Sequence, residues 1–481
     1  MFKPRPHLGL PFALSTLLLT ACGGGGGGGG RAATGGTDPG VGSGSGGTIT
    51  APSPDACSAE AEKDFVLAVA NDWYLWYDEM ASVDAADFDT AEALLAALTS
   101  PLAEDFRDPG FSYVTTRAED EANFTNRAFV GFGFRSAFND AGQFLIVDAY
   151  ADTPAAQAGF KRGVEILAVD GGEGFVTMDE YVQQGVSLSE VFGEPTVGLE
   201  RGFRLLVEGQ TVDIIVAKAE IAVPPLAVAP RTLERPGLAP VGYVHLRGFT
   251  STAVAELDRA FAELSGQGIT DLIIDLRYNS GGLISVSTHL MDLLGGAIAE
   301  GQVSLGLIHN DKRVAENTQA FFEARPESAS PLRIAFITTA ATASASEGLI
   351  NSLAPVVDLA LVGSDTAGKA VGQYAFDQSG CDTRLRLVSF ETVNGDGLGG
   401  YYTGLVDTGR FSLCAVEDTF TGAFGTADDA LTAGALAWLN NGSCPVSPQT
   451  ATSSPRDRAL RRGGFGIEVR SPPDRRSEWV Q

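Results

Sequence analysis

The chain has 481 residues, with 33 Lys and Arg against 60 Asp and Glu and a formal net charge of -27. This excess of negative charge repels phosphates and argues against nucleic acid as a partner. The 44% hydrophobic and 19% charged content is an ordinary globular balance, and the length leaves room for about two to four domains with sizeable cores.

Taken in order, the chain opens with Lys3 and Arg5 before an apolar run from Leu8 to Leu19. That run is too short to span a membrane as a mature helix but suits a secretory signal. It ends Leu19-Thr20-Ala21-Cys22, which resembles a bacterial lipoprotein cleavage box. The resemblance implies that residues 1–21 are removed and that Cys22 is lipidated, with each buried CH₂ adding about 0.8 kcal/mol of membrane attachment. An ordinary signal with an incidental cysteine is the plainer alternative. Residues 22–56, led by eight glycines from Gly23, read as a flexible tether. Gly23 rather than aspartate after the cysteine implies, by resemblance, a membrane-anchored lipoprotein of the bacterial cell envelope, at the outer membrane facing the periplasm.

Residues 57–125 read as an N-terminal helical domain. Phe65, Val66, Val69, Trp73, Trp76 and Tyr77 recur at helical spacing, and Ala91 to Leu98 repeats the pattern. Such an aromatic stripe is usually core. Phe111 to Val114 is a short extended piece, and Arg117 to Asn123 a polar connector.

Residues 126–222 form a separate β-rich module, with strands expected at Phe144–Ala149, Val164–Val169, Phe203–Val207 and Val212–Val216. Gly131-Phe132-Gly133-Phe134 opens it and Thr153 to Phe160 lies within it. The arrangement resembles a PDZ domain, in which a glycine-bearing loop offers backbone N–H groups to a peptide's terminal carboxylate while the peptide adds a strand. The resemblance puts that peptide-binding loop at Gly131, Phe132, Gly133 and Phe134. A strand entry with two core aromatics is the competing reading.

Residues 223–446 alternate strands and helices, the mark of an α/β layer structure: strands at Val241–Leu246 and Leu272–Leu276, helices at Ala253–Leu264 and Leu283–Leu294. The centre is Pro331 to Gln373. There Arg333–Thr339 is a β-branched strand, Ser346–Leu353 a helix and Val357–Val362 a second strand. A strand-helix-strand crossover brings both carboxyl ends to one sheet edge, where α/β folds place their chemistry. Ser344 precedes the helix and Lys369 follows the second strand, so a hydroxyl and an amine 25 positions apart in sequence can meet. The amine can take the hydroxyl's proton only if burial has stripped its own. Asp365 opposes that shift if it faces inward, so it is expected to point out. The helix start beside Ser344 supplies free N–H groups for an oxyanion.

Ser344-Ala345-Ser346-Glu347, Gly368-Lys369 and Gln373, with Asp275-Leu276-Arg277-Tyr278-Asn279-Ser280-Gly281-Gly282 upstream, resemble the C-terminal processing (tail-specific) peptidases of the S41 type. The resemblance implies a crotonase-like, ClpP-like catalytic fold. In it Ser344 is the nucleophile, Lys369 the general base and Gln373 the residue that orients the lysine. We place the oxyanion hole at Gly281, Gly282 and Ala345. One departure is Ala370, where the family usually has a second glycine. Gly363 to Lys369 also matches most of a phosphate-binding loop, but Ala370 lacks the hydroxyl that would hold magnesium. The small-residue run Ala340–Ser346 would also suit a close helix-to-sheet turn.

Thr383–Phe390 and Gly400–Val406 read as strands of a β insert, Asp428–Leu439 as a last helix, and 447–481 as a disordered tail. In an oxidising compartment the four cysteines other than Cys22 suggest two disulfides. Three pairings are open; Cys381 with Cys414 and Cys57 with Cys444 are favoured, one tying the β insert and the other joining the ends of the folded body. No Cys-x-x-Cys or His pair suggests a metal.

The expected whole is an α/β multidomain protein: a crotonase/ClpP-like catalytic domain with an inserted PDZ-like β module and an N-terminal helical domain. Its expected activity is an exported serine endopeptidase acting on proteins with accessible C-termini, without metal, cofactor or nucleotide. The alternative is a lipoprotein adaptor that binds peptides through its PDZ-like module without cutting.

Overall fold

In a computed structural model of the protein, residues 56–125, 127–139 and 141–444 are described. The signal run, Cys22, the tether and the C-terminal tail lie outside them. No helix among the described residues is long and apolar enough to cross a membrane.

Helices α1 (Ala59–Trp73) and α2 (Ala91–Leu98) start where Ser58 and Thr90 accept backbone N–H bonds. The apolar stripe of α1 stops at Trp73, and the chain turns extended at Tyr74. Val66, Leu94, Leu95 and Leu98 do not close a core by themselves. They bury against Val371, Leu385, Leu387 and Val388 from the far end of the sequence. Strand β1 (Tyr113–Thr116) then pairs antiparallel with residues 383–386. The expected polar connector is a helix, Arg117–Thr125. Its Asp120 accepts from Arg384 at 2.8 Å and Arg386 at 2.7 Å, long-range ion pairs that local sequence could not announce.

The module 126–222 is a sheet of β2 (Phe134–Phe138), β3 (Phe144–Ala149), β4 (Glu165–Asp170), β5 (Glu200–Val207) and β6 (Gln210–Ala217), antiparallel in that order. Phe132, Phe134, Phe144, Phe160, Phe192 and Phe203 fill one side. Ala137, Leu145 and Val147 face the other way and share a core with Tyr243, Ile273 and Phe424.

The remaining chain runs β7 (Arg231–Leu233), β8 (Val241–His245), α3 (Ala253–Ser265), β9 (Asp271–Asp275), α4 (Ile284–Met291), β10 (Val303–His309), β11 (Thr318–Phe321), β12 (Arg333–Thr338), α5 (Ala345–Leu353), β13 (Asp358–Gly363), β14 (Val371–Asp377), β15 (Thr383–Val393), β16 (Leu413–Ala415) and α6 (Ala430–Asn441). One sheet has the order β7-β8-β9-β12-β13-β16 and is parallel except for β7. The other has the order β1-β15-β10-β11, with β14 also on β15, and is antiparallel. Every residue of α5 is buried, as expected of a helix enclosed on all sides; its Leu349, Ile350 and Leu353 join a core holding Leu305 and Phe390 of the second sheet and Ile334 and Phe336 of the first.

Three further expectations need correction. Gly400–Val406 is not a strand but a series of turns entering a 3₁₀ turn at Val406–Thr408. Gly404 sits at φ +122, and a Cβ there would lie about 2.5 Å from the Asp365 carboxylate. Asp365 is therefore buried rather than pointing out: its Oδ1 accepts from the N–H groups of Thr366 at 2.7 Å and Val406 at 2.9 Å. The disulfides are Cys57–Cys381 and Cys414–Cys444, not the favoured pairing. The start of α1 lies at the β14–β15 turn that carries Cys381, while the chain leaving α6 returns to β16, which carries Cys414.

Candidate active site

Strand β12 ends at Thr338, and the turn after it is laced to the end of β9. Thr342 Oγ1 donates to Leu276 O at 2.9 Å, and the Ala343 N–H donates to Asn279 O at 3.0 Å. This lacing holds Ser344 at φ 55 and ψ -116, directly before α5. A residue with a side chain adopts that conformation at a cost of order 1–3 kcal/mol and keeps it only where its surroundings over-determine it. Ser344 is half-buried.

What over-determines it is Glu347, one turn into α5. Glu347 Oε2 accepts from the Ser344 N–H at 2.8 Å and from the Lys369 N–H at 2.9 Å, while Oε1 accepts from the Gly368 N–H at 2.7 Å. One carboxylate oxygen thus ties the backbones of Ser344 and Lys369 together across 22 to 25 residues of sequence. Burial pushes the Glu347 carboxyl up to about 7, against the pull of its hydrogen bonds from Thr366, Gly368, Lys369 and Ser344. The two backbone N–H groups at 368 and 369, which a phosphate-binding loop would offer to its ligand, are engaged here. Gly368 takes the left-handed φ of +92, whereas Ala370 is absent from the positive-φ residues, so alanine suits its place without strain.

Lys369 lies in the loop between β13 and β14, and its Nζ donates to Gln373 Oε1 at 2.6 Å. Burial brings its amine down to about 8; Asp108 opposes the shift, Arg386 assists it and Glu347 opposes it. Gln373 stands at a bulge where β14 shifts register against β15, the kind of irregularity that re-aims a side chain. Its Nε2 donates to the carbonyl of Phe111, which leaves Oε1 to face the amine. The Phe111 ring lies 4.9 Å from Lys369 Nζ. Among the described residues no hydrogen bond joins Ser344 Oγ to Lys369 Nζ.

The turn Gly281-Gly282 abuts the same point. A Cβ at Gly281 would lie 2.9 Å from the Ala345 nitrogen and from Ser344 Cβ. The Gly281 N–H, however, donates to Asn279 Oδ1 at 2.9 Å. That corrects its place among the oxyanion donors, because a donor already bonded to an amide oxygen is not free for a new negative charge. Among the described residues the N–H groups of Gly282 and Ala345 meet no acceptor.

The module's loop is a different case. Phe132 and Phe134 are buried in its aromatic core, as the competing reading had it. The carbonyl of Phe132 accepts from the Ala155 N–H at 2.9 Å and that of Gly133 from the Tyr150 N–H at 2.9 Å. Gly131 lies in a short strand paired with Ala219. Among the described residues no three His, Cys, Asp or Glu side chains gather as a metal site.

Two side chains at the site carried no role in the sequence reading. Glu347 had a legible signal, since Ser-x-x-Glu at a helix start is a capping pattern. Phe111 had none, because its neighbour Gln373 is 262 residues away.

The segment that holds these residues matches known proteins. Residues 240–399 match peptidase family S41, and residues 61–113 match the peptidase S41 N-terminal domain. The carboxyl-terminal-processing protease of Synechocystis sp. is 28% identical over 311 residues, 63% of this chain and 66% of that protein. The carboxy-terminal processing protease CtpB of Bacillus subtilis is 23% identical over 355 residues, 72% of this chain and 68% of that protein. The chain therefore spans about two thirds of the length of these relatives. A solved S41 protease from Bacteroides fragilis shares the fold, with a TM-score of 0.62 and 24% identity over 79% of this chain and 97% of that one. Ser344, Lys369 and the Gly281-Gly282 turn all lie inside the matched segment, and the chain carries a peptidase family S41 domain.

Proposed function

We propose that the protein is a serine endopeptidase that cuts proteins toward their C-terminal ends through Ser344 and Lys369. The observation that carries this reading is the single Glu347 oxygen accepting from the backbones of both residues, beside an amine whose burial favours its neutral form at mildly alkaline pH. Ser344 Oγ attacks the peptide carbonyl and its proton passes to Lys369 Nζ, which returns it to the departing amine; water then releases the acyl group by the reverse route. Gln373 holds the amine between these transfers, and the Gly282 and Ala345 N–H groups receive the carbonyl oxygen's negative charge.

The substrate class follows the named relatives, both carboxyl-terminal processing proteases. A PDZ-like role for residues 126–222 in gripping the substrate's terminal carboxylate belongs to the same proposal. Export and lipid anchoring through Cys22 rest on the sequence of the first 22 residues. The test is cleavage of an unstructured protein in the presence of chelator: Ser344→Ala and Lys369→Ala are each expected to abolish it in folded enzyme. Turnover that persists in either variant overturns the dyad. Equal binding of amidated and free apolar C-terminal peptides would count against carboxylate recognition.

A further inference from the structure

Arg127 lies at the start of the module, far in sequence from the site, and it is buried. Its Nη2 donates to Gly281 O at 2.9 Å and its Nη1 to Arg247 O at 3.0 Å. Among the described residues no carboxylate pairs with it. The charged groups facing it are Arg135, which repels it, and the Tyr150 phenol; burial is the largest influence and brings it down to about 9. A buried cation without a counter-charge is a costly arrangement, and its position suggests what it answers to.

Gly281 O and the Gly282 N–H belong to one planar peptide unit. The carbonyl end of that unit accepts from Arg127 and, at 3.0 Å, from the Phe249 N–H. Two donors on the oxygen fix the plane, and a charged one polarises it so that the N–H at the other end becomes a stronger donor. Gly248 makes the approach possible, since a Cβ there would sit 2.3 Å from the Arg127 guanidinium carbon.

We propose that Arg127 is a positioning residue for the oxyanion hole: through Gly281 O it orients and polarises the Gly282 N–H, and its buried positive charge is matched by the negative charge that develops on the substrate carbonyl. This rests on the reading of Ser344 and Gly282 given above. The group it serves carries full negative charge only in the tetrahedral state, so the effect falls on kcat and not on KM.

The test uses the full chain and an unstructured protein substrate. Arg127→Met is expected to lower kcat about 10- to 100-fold, in the range of a weakened oxyanion donor, with KM within about twofold by the same differential-binding argument. Its urea midpoint should stay close to that of the wild type, because relief of a buried cation with no counter-charge offsets the loss of its hydrogen bonds to Gly281 O and Arg247 O. Arg127→Lys keeps the charge without the planar fork and should recover part of the loss. Gly248→Ala keeps the arginine but displaces its flexible end, and should lower kcat in the same direction. A kcat for Arg127→Met within about twofold of wild type overturns the proposal, as does a loss of kcat with a parallel fall in stability, which marks a structural role. Should Ser344→Ala still cleave, the underlying dyad reading fails instead, which separates the two.

Discussion

Glu347 concentrates the physics of this site in one side chain. Glu347→Gln keeps the shape but replaces one acceptor oxygen by an NH₂ group, so either the Gly368 N–H or the pair at Ser344 and Lys369 faces another donor. Each stranded donor costs about 1–3 kcal/mol, and the backbones of Ser344 and Lys369 separate. We expect a fall in kcat of about 10-fold or more, of the size that misplaced catalytic groups produce, checked by steady-state kinetics. The carboxyl also makes stability depend on pH. Its folded value of about 7 lies above the ordinary 4.5, so its contribution is fully present below pH 4.5 and is lost as pH rises through 7. That loss is about 3 kcal/mol on the conversion of pKa shift to free energy. Urea midpoints at pH 5 and pH 8 should show the wild type's advantage over Glu347→Gln shrinking between them. Lys369 works in the opposite sense, its amine brought down to about 8 by burial. The kcat/KM of the free enzyme should therefore rise with pH through about 8, and Lys369→Arg should leave no activity across the range.

At the scale of elements, the turn after β9 and the turn after β12 form one unit. Gly281 at φ +103 brings its Cα against Ser344 and Ala345, so Gly281→Ala is strained in its backbone and also pushes on the nucleophile. By displacing Ser344 and the adjacent Gly282 N–H it is expected to lower kcat about 10²–10³-fold, the size of a lost oxyanion donor, in a protein whose circular dichroism still reports native helix and sheet. Strands β12 and β13 and helix α5 were legible because each has a clean apolar pattern with turn residues between. Residues 371–377 carry Gln373 yet were not read as strand β14, because the pattern is interrupted by the bulge at Gly372 and Gln373. The helix at Arg117–Thr125 was missed for another reason: its stability comes from Asp120 meeting two arginines more than 260 residues away, and no window of sequence contains that.

Across the whole molecule, the 57–125 segment and the module do not stand apart from the catalytic layers. Arg247 grips Asp148 of β3 through two hydrogen bonds at 2.7 and 2.8 Å with both side chains buried. Arg162 of the module bonds Asp418 at 2.5 Å, and Arg277 bonds Asp429 at 2.6 and 2.8 Å. Removing one partner of a buried pair costs about 3–5 kcal/mol. Arg247→Met should lose stability on that scale in urea, and the wild-type body should unfold in one calorimetric transition; two separated transitions would mean that the module is independent. The sequence by itself determined the strand-helix-strand crossover, through local periodicity, and offered Ser344, Lys369 and Gln373 as candidates, through residue types whose chemistry is fixed and motifs that resemble a family. Only the tertiary structure decided which cysteines pair, which glycine N–H is already engaged, and which distant residues complete the site. Glu347, Phe111 and Arg127 reach the site through contacts made when layers far apart in the chain pack together, and burial is the largest influence that lowers the amine and raises the carboxyl.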